Sequence, residues 1–362
     1  MTGQPYLSVV VTSRNDDHGG DMTRRMNIFV DGLVSQCRHL GIRAELIMVE
    51  WNPPIDRPPL ADALVWPAER GNVDLRIITV PPELHARHKF AAALPLFQMI
   101  GKNVGIRRAR GAFVMVTNVD IVFSDALMRY IAARRLKKGR MYRVDRYDIK
   151  ADVPTFAPHA ERLRFCEDRA NWLRVCRRAG TDNLLNGRRD TIFPNHFRLW
   201  LHAQHARYFP KSASRRYKMT AQQAREFFEF HRAIGRLHTN ACGDFTVLAH
   251  EDWHRLRGYA EYEMYSFHID TLLCHAAVAV GVKEVYLGGS RRIFHLEHSS
   301  GSGYTPDHQD KLWHRLERAK IPRISDAELW DTVKALRSGR RGPVFAPETW
   351  GLGAHELAES RP

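Results

Sequence analysis

The feature that most constrains the fold is the alternation of strand-like and helix-like segments over the first 150 residues. YLSVVVTS (6–13) and RAELIMVE (43–50) are largely apolar runs, typical of strands buried on both faces of a parallel sheet. Between them, apolar side chains recur at helical spacing from 22 to 40, and Gly41 is a helix stop signal. This alternation predicts an α/β fold with a mostly parallel central sheet flanked by helices.

Further segments of both kinds follow along the chain. We predict strands at 74–80, 111–120, 140–147, 243–249, 283–288 and 291–298. We predict helices at about 91–109, 124–139, 161–178 in parts, 220–237, 250–257, 264–280 and 326–339.

Residues 151–240 break the alternation, because they are basic, rich in histidine and helical in pattern in parts. We interpret them as an insertion over the carboxyl edge of the sheet. The sequence therefore predicts one large domain over 1–320, in which this basic helical insertion separates a first half (1–150) from a second half (241–320). A peripheral helix and tail (321–362) follow.

The chain is basic, with 55 Lys and Arg against 40 Asp and Glu and a formal net charge of +15. This charge favours nucleic acid, an anionic membrane surface or a phosphate-bearing substrate as partner. The basic clusters lack the interleaved aromatic residues of RNA-binding signatures, and no zinc-finger or basic-zipper pattern occurs. Nucleic acid is therefore the least favoured of the three partners.

The sequence shows no apolar run near the length of about 18 residues that a membrane span needs, and no signal-peptide pattern. We therefore expect neither feature. The five cysteines are scattered and form no C-x-x-C pair, which indicates reduced thiols. We expect a cytoplasmic protein, with peripheral contact at the inner face of the membrane as one use of its positive charge.

Polar residues follow several of the predicted strands. Ligands of open α/β sheets bind outside the carboxyl ends of the strands, so we expect a binding cleft at this rim. The residues concerned are Ser13, Asn15 and Asp16 after the first strand, Glu50 at the end of the second, Asn118 and Asp120 in the fourth, and His295, Glu297 and His298 in the last.

The stretch KNVGIRRARGAFVMVTNVD (102–120) resembles the nucleotide-binding half of GT-A-fold glycosyltransferases, especially family-2-like enzymes. These enzymes have an A-x-G motif and then a strand that leads into D-x-D. The matching residues here are Ala109-x-Gly111 and Asn118-x-Asp120. Asn118 stands where the family has its first Asp, which leaves open whether this protein depends on a metal.

The resemblance covers residues 7–127 and 243–305 and does not cover 151–240. It implies a GT-A fold and a nucleotide-diphospho-sugar donor, with Glu50 at the place of the acid that meets the base. The residues at matching donor-contact positions are Ser13, Asn15, Asp16, Glu50, Lys102, Asn118 and Asp244. Three of them, Asn15, Asp16 and Lys102, are each equally consistent with a solvated loop residue when taken alone.

The resemblance also implies a divalent cation, Mn²⁺ or Mg²⁺, that neutralises the nucleotide diphosphate leaving group. Asp120 matches the carboxylate ligand. RIFHLEHSSGSGYTP (292–306) resembles the segment that provides a histidine ligand and a loop over the donor. His295 matches that ligand best, and His298 is the substitute. The alternative for Asn118 and Asp120 is a strand-to-helix turn in which Ser124 and Asp125 cap the helix.

AHEDWHRLRGY (249–259) contains the zinc-protease pattern H-E-x-x-H at His250, Glu251 and His254. In zinc proteases this pattern lies within a long helix, and a third ligand follows downstream. Here it comes directly after a predicted strand, and Gly258 follows four residues past His254. The helix is too short for that site, so the match is accidental.

The same region resembles instead the acceptor side of GT-A enzymes, with Asp270 in FHID (267–270) at the place of the catalytic base. An inverting glycosyltransferase needs one carboxylate to take the proton from the attacking hydroxyl. The alternative for Asp270 is a helix cap or first-turn acid favoured by the helix dipole. Asp244 is a second polar candidate for contact with the donor sugar or the acceptor.

The favoured hypothesis is a metal-dependent, inverting, hexosyltransferase-like glycosyltransferase of polysaccharide biosynthesis. It would move a sugar from a nucleotide-diphospho-sugar to a hydroxyl of a glycan or lipid-linked glycan. Two alternatives stay open. A nucleotidyltransferase-like enzyme would need a Gly-rich, basic phosphate loop after the first strand, of which TSRNDDHGGDMTRR (12–25) is a poor version. A non-catalytic relative that binds a glycan or a partner is compatible with Asn118.

Overall fold

The structure, a computed structural model, describes residues 3–155, 157–191, 237–298 and 309–362. In these residues the strands are β1 (Leu7–Ser13), β2 (Ala44–Trp51), β3 (Val73–Val80), β4 (Phe113–Thr117), β5 (Ile121–Phe123), β6 (Arg140–Arg143), β7 (Asp145–Ile149), β8 (Trp172–Arg177), β9 (Gly180–Asn183), β10 (Arg189–Thr191), β11 (Phe245–Ala249), β12 (Lys283–Tyr286), β13 (Arg292–Leu296) and β14 (Ala358–Ser360). The α-helices are α1 (Met22–His39), α2 (Leu60–Ala63), α3 (Pro82–His85), α4 (Gln98–Arg107), α5 (Asp125–Ala132), α6 (His159–Glu167), α7 (His250–Leu256), α8 (Ile269–Ala279), α9 (Gln309–Arg318) and α10 (Asp326–Arg337).

The larger sheet has eight strands in the order β12-β6-β11-β4-β1-β2-β3-β14. Its block β3-β2-β1-β4 is parallel throughout, which confirms the predicted α/β class. The expectation of a mostly parallel sheet is confirmed only in part, because the sheet is mixed, with four parallel strand pairs and three antiparallel ones. β11 runs back between β4 and β6 and pairs antiparallel with both, and β14 pairs antiparallel with β3 at the edge.

A smaller sheet in the order β10-β9-β8-β7-β13-β5 was not predicted. The segment 140–147, expected as one strand, is divided between β6 in the larger sheet and β7 in the smaller one. The segment 161–178, expected to be helical, continues after α6 as strand β8. β8 pairs antiparallel with β7 and β9, and these ladder bonds outweigh the local helical pattern. The part of the predicted insertion at 192–236 lies outside the described residues.

Several helices are shorter than predicted, and α8 begins at Ile269 rather than 264. α4 begins at Gln98 rather than near 91, because Pro95 lacks an amide hydrogen and would clash inside a helix. α5 ends at Ala132 rather than 139, and Arg134 adopts a φ of 53°. None of the helices in the described part of the chain combines the length and the apolar character that a membrane span requires.

Helices cover both faces of the larger sheet. One face, with Val10 and Ile47, packs against α4, α7, α8 and α10, and the last of these helices contributes Leu329 to the same core. The other face, with Val9, packs against α1, α2 and α5. Consecutive strand residues thus point into opposite cores, and the strand ends are left for polar side chains.

Glu45 is a fully buried carboxylate of β2 that fastens the edge of the larger sheet. Its Oε1 accepts hydrogen bonds from Ser8 Oγ (2.6 Å) and from the amide of Arg110 (2.6 Å), and its Oε2 accepts one from Arg76 (2.8 Å). Burial alone would raise the pKa of Glu45, but these hydrogen bonds lower it. Arg76 also pairs with Glu359 of β14, so the cluster holds the C-terminal strand in place.

We expect Glu45→Gln to lower the free energy of unfolding by roughly 2 kcal/mol at pH 7, because a neutral amide leaves buried Arg76 partly uncompensated. The folded-state pKa of Glu45 is depressed, so its contribution is present at neutral pH and is lost as the pH falls through that pKa. Urea unfolding measures the change. In the control Glu69→Gln, an exposed pair with Arg38 is broken, with an expected change below about 0.5 kcal/mol. Equal effects of the two substitutions would contradict the role of Glu45.

Candidate active site

Strands of the smaller sheet bring predicted metal ligands together. Asp120 directly precedes β5, and β5 pairs antiparallel with β13 so that Ile121 lies opposite His295. β13 also pairs in parallel with β7, which places His295 beside Asp148. The amide of Leu296 donates to the carbonyl of Asp120 (3.0 Å). Segments far apart in sequence therefore fix the positions of Asp120 and His295 through backbone pairing.

Asp120, His295 and His298 form a compact group of potential metal ligands, with one ligand atom from each within 4.8 Å of the others. Asp120 Oδ2 is 3.6 Å from His295 Nε2 and 3.5 Å from His298 Nε2. Asp120 Oδ1 is buried and has no hydrogen-bond partner among the described residues. A buried carboxylate oxygen without a donor fits a cation. Mixed oxygen and imidazole ligands suit Mn²⁺ better than Mg²⁺, which prefers oxygen alone.

The charges of this group depend on one another. Burial alone would raise the pKa of Asp120, but the adjacent His295 and His298 hold it well below its usual range. Burial would lower the pKa of His295, but Asp120 and Asp148 raise it to about 10. Metal-bound imidazole must be neutral, so we expect a cation to displace the proton of His295. Asp148 Oδ1 lies 3.3 Å from His295 Nδ1, so the two groups attract each other through their charges.

A second group with metal-ligand spacing consists of Asp148, His295 and Glu297. Its carboxylates are already paired with guanidinium groups. Arg146 Nε is 2.8 Å from Asp148 Oδ1, and Arg174 Nε is 3.0 Å from Asp148 Oδ2. Arg174 also pairs with Glu297. Because two arginines already supply positive charge here, we interpret this group as support for His295 rather than as another metal site.

A further polar cluster centres on Asn118, just after β4. Its Oδ1 accepts a hydrogen bond from Lys102 Nζ (2.7 Å), and its Nδ2 donates to the carboxylate of Asp244. Arg146 pairs with both Asp244 and Asp148 and so connects this cluster to the metal-ligand group. A carboxylate at position 118 would face that of Asp244. The neutral amide of Asn118 instead donates a hydrogen bond to Asp244. This gives a physical reason for asparagine rather than aspartate at position 118.

Lys102 connects the cluster to Asp270. Its Nζ also donates to the carbonyl of Gly243 (2.7 Å), and the amide of Gly243 donates to Asp270 Oδ2 (2.8 Å). Asp270 lies in the first turn of α8, and its Oδ1 accepts from the amide of Thr271 (2.8 Å). The structure thus places Asp270 against the same loop as Asp244, and it also shows the backbone contacts of a helix-end acid.

Glu50 and Asn15 lie at the ends of β2 and β1. Glu50 is buried, which raises its pKa, and its Oε1 accepts from the amide of Leu60 (2.8 Å). Asn15 donates to the carbonyl of Pro58 (2.9 Å). Both side chains therefore fix the segment 58–60 against the strand ends. Their contact with a nucleotide base stays a prediction.

The side chains of Asp16 and Ser13, the other two predicted donor contacts near the end of β1, point to different places. Asp16 pairs with Arg14 (3.1 Å) and is only partly buried. Ser13 is fully buried, and its hydroxyl donates to the sulfur of Met26 (3.3 Å) in α1. The Ser13 hydroxyl therefore faces α1, whereas Asp16 lies at the rim.

The zinc-protease pattern lies in α7, a helix of seven residues. His250 Nε2 is 3.0 Å from the carbonyl of Ala109, and Glu251 pairs with Lys138 (2.6 Å) at the surface. The rings of His250 and His254 stack with their centroids 4.2 Å apart. The packing of α7 and a surface ion pair therefore account for these contacts.

Several charged residues of the site were missed by sequence reasoning. Arg146 and Asp148 occupy alternate positions of β7, and this pair of charges on one face of a strand was the available signal. Arg143 is fully buried and donates to the carbonyls of His238 (2.8 Å), Asn240 (3.2 Å) and Cys242 (3.3 Å), which holds the loop before Asp244. The missed residues are Arg25, Arg143, Arg146, Asp148 and Arg174.

We expect Lys102 to give the protein a distinctive pH dependence. Lys102 is completely buried, and burial lowers its pKa to about 8 despite the carboxylates of Asp244 and Asp270. Between this value and the ordinary lysine pKa of about 10.5, the unfolded chain binds the additional proton, so stability rises with pH. Between about pH 7.5 and 10.5, the free energy of unfolding of the wild type should rise by up to roughly 3 kcal/mol relative to that of Lys102→Met. Urea unfolding in EDTA measures this difference, and parallel pH profiles would contradict it.

No protein-family model matches the chain. No curated protein matches it. Among solved structures, the mannosyltransferase PcManGT from Pyrobaculum calidifontis in complex with GDP-Man and Mn²⁺ is similar over 93% of this chain and 75% of its own, with a TM-score of 0.38 and 11% sequence identity. A likeness of this size carries no argument for a shared activity, so the function rests on the side chains of the site.

Proposed function

We propose that the chain is a metal-assisted, inverting glycosyltransferase of the GT-A fold that uses a nucleotide-diphospho-sugar. The observation that carries this proposal is the set Asp120, His295 and His298 near the carboxyl end of β4, with a buried carboxylate oxygen that lacks a donor among the described residues. The parallel block β3-β2-β1-β4 supports it, because ligands of such sheets bind at this end. We propose residues 1–320 as the catalytic domain and 321–362 as an addition to it.

Asp120, His295 and His298 would hold the cation. When bound, a divalent ion supplies charge neutralisation for the diphosphate leaving group. Lys102 places a further positive charge in the adjoining cluster, between Asn118 and the loop at 243. Positive groups fixed before the reaction need no reorganisation when negative charge develops.

Asn118 and Asp244 are proposed to contact the donor sugar, and Asn15, Asp16 and Glu50 the nucleotide. The remaining predicted donor contact, at position 13, has its hydroxyl turned toward α1, as described above. The hydrogen bond between Asn118 and Asp244 fixes the orientation of both side chains. A site whose polar groups are oriented in advance binds without the entropic cost of ordering them.

Asp270 is proposed as the general base that takes the proton of the acceptor hydroxyl. An ionised carboxylate has about four acceptor positions. The amides of Gly243 and Thr271 use two of them, so acceptor capacity remains for a hydroxyl. The same two bonds fix the carboxylate in one orientation, as a base in a transition state requires.

The acceptor is proposed to be a glycan or lipid-linked glycan, reached by a cytoplasmic protein in peripheral contact with an anionic membrane. The net charge of +15 supports an anionic surface or an anionic acceptor. The segment proposed for this side, 151–240, is described only in part, and its strand β8 carries Arg174 and Arg177.

Thermal unfolding with a panel of nucleoside diphosphates tests the proposal without knowledge of the acceptor. The nucleoside diphosphate with the matching base should stabilise the protein far more in Mn²⁺ than in EDTA. At a ligand concentration of 100 times Kd, it should add about 2.7 kcal/mol to the free energy of unfolding. Stabilisation by a nucleoside triphosphate beyond that by any diphosphate would favour the nucleotidyltransferase alternative. No stabilisation by any nucleotide in either condition would contradict the proposed function.

A further inference from the structure

Arg25 of α1 lies against the metal-ligand group. Arg25 is 3% exposed, and its Nη1 is 3.2 Å from Asp120 Oδ2. Its Nη2 donates to the carbonyls of His18 and Gly20, the latter at 3.0 Å. One buried side chain therefore holds both a predicted metal ligand and the turn that follows β1.

The turn held by Arg25 packs against a second predicted ligand. A Cβ atom built on Gly19 would lie 2.6 Å from Nδ1 of His298, closer than real side chains approach. Gly19 also has a φ of +74°, a conformation that favours glycine. The backbone of the turn thus limits the position of the His298 ring. His295 has separate support from Asp148 at 3.3 Å.

We propose that Arg25 is a positioning residue of the metal site, an inference that rests on the proposed function. It binds Asp120 through Oδ2, the oxygen that lies 3.6 Å from His295 Nε2 and 3.5 Å from His298 Nε2, and so fixes the orientation of the carboxylate toward the two imidazoles. It restrains His298 indirectly, through the carbonyls on either side of Gly19. Ligands held in place before the metal arrives lose little rotamer freedom when it binds.

The positioning of the ligands by Arg25 favours metal binding, whereas the positive charge of Arg25 opposes it. A guanidinium 3.2 Å from Asp120 offsets part of the negative charge that attracts a divalent cation. If repulsion were the larger effect, removal of Arg25 would tighten metal binding. We expect positioning to be the larger effect, because removal of Arg25 releases both the Asp120 carboxylate and the turn against His298. The sign of the change in metal affinity therefore decides between the two.

The test is a titration of the full chain with Mn²⁺ alone, in which calorimetry measures the heat of binding and gives the Kd. Arg25→Met should raise the Kd for Mn²⁺ by about 10- to 100-fold, as loss of a group that orients a metal ligand does. Arg25→Lys should raise it less, because it keeps the charge but lacks the planar fork of donors. Arg24→Met is the matched control. Arg24 is the neighbouring residue of α1 and bonds Thr155 (2.7 Å) instead of the site, so its removal should leave the Kd unchanged.

Gly19→Ala tests the turn separately and should also weaken Mn²⁺ binding, because the new Cβ displaces His298. Gly41→Ala is its control, since Gly41 has a similar φ of +65° and a Cβ there would meet no atom within 4 Å. Circular dichroism and thermal midpoints establish that each variant folds. If Arg25→Met does not fold, Arg25→Lys and Gly19→Ala carry the test.

An unchanged or lower Kd for Mn²⁺ in folded Arg25→Met would overturn the proposal for Arg25, while the proposed function would stand. If Arg25→Met does not fold, the same result in Arg25→Lys would overturn it. Absence of Mn²⁺ binding by the wild type would overturn the metal-assisted function itself, and the role of Arg25 with it. The two failures are therefore distinguishable in one set of titrations.

Discussion

Asp270→Asn should lose sugar transfer by about 10²- to 10⁴-fold while it keeps near-native affinity for Mn²⁺ and for the donor. A general base contributes a factor of this size and does so only in the transition state. An amide matches the carboxylate in size but cannot take the proton of the acceptor hydroxyl. Single-turnover transfer rates, with donor Kd measured separately, give the two quantities.

The structure also predicts a small cost in stability for this variant. The Asp270 carboxylate accepts from the amides of both Gly243 and Thr271, and an asparagine has one acceptor oxygen for the two donors. We expect a loss of about 1 kcal/mol. Asp125→Asn is a matched control, because Asp125 is a first-turn acid of α5 that accepts from Gln36 (3.1 Å) outside the site. That variant should transfer sugar at the wild-type rate.

The configuration of the product provides a second readout for Asp270. Direct displacement assisted by one base inverts the anomeric carbon, so NMR of the new linkage should show the configuration opposite to that of the donor. A retained configuration, or an Asp270→Asn enzyme within about threefold of wild type, well short of the effect of a general base, would remove Asp270 as the base. Asp270 would then be a helix-end acid that anchors Gly243.

Asp120→Asn should abolish the stabilisation that Mn²⁺ gives to the wild type. A cation at 100 times its Kd adds about 2.7 kcal/mol to the free energy of unfolding, and a neutral amide oxygen is a much weaker ligand than a carboxylate. Asparagine is preferable to alanine here, because alanine would leave Arg25 buried and unpaired at a cost of roughly 3–5 kcal/mol. Thermal unfolding in Mn²⁺ and in EDTA measures the increment for each protein.

A buried aspartate outside the site controls for the substitution itself. Asp252 of α7 accepts from the amide of Gly139 (2.8 Å) and from Arg255 (3.0 Å). Asp252→Asn should lower the stability in both conditions and keep the full Mn²⁺ increment. An undiminished increment in Asp120→Asn would contradict the assignment of Asp120 as a ligand.

The parallel block could be predicted from the sequence because its strands are apolar runs ended by polar residues. Residues 7–13 and 44–51 show this pattern, and each lies in the sheet as expected. The smaller sheet could not be predicted in the same way. β7 carries Arg146 and Asp148, which resemble a solvent-exposed strand face until β13 brings His295 beside them.

The predicted ligands Asp120, His295 and His298 could be named from the resemblance, but their supports could not. Arg25 appears in the sequence as one more basic residue of an amphipathic helix, and only the fold shows that it is buried against Asp120. The presence of Asn118, where the glycosyltransferases that the sequence resembles have Asp, is likewise explained by Asp244, which lies 126 positions further along the chain. Contacts of this range carry no local signal.

Release of nucleoside diphosphate from a panel of nucleotide-diphospho-sugars tests the central claim most directly. Wild-type protein should release the diphosphate from one donor in Mn²⁺, and release should fall to background in EDTA and in Asp120→Asn. Equal release in Mn²⁺ and in EDTA would contradict the metal-assisted mechanism, and no release from any donor in either condition would contradict glycosyl transfer itself.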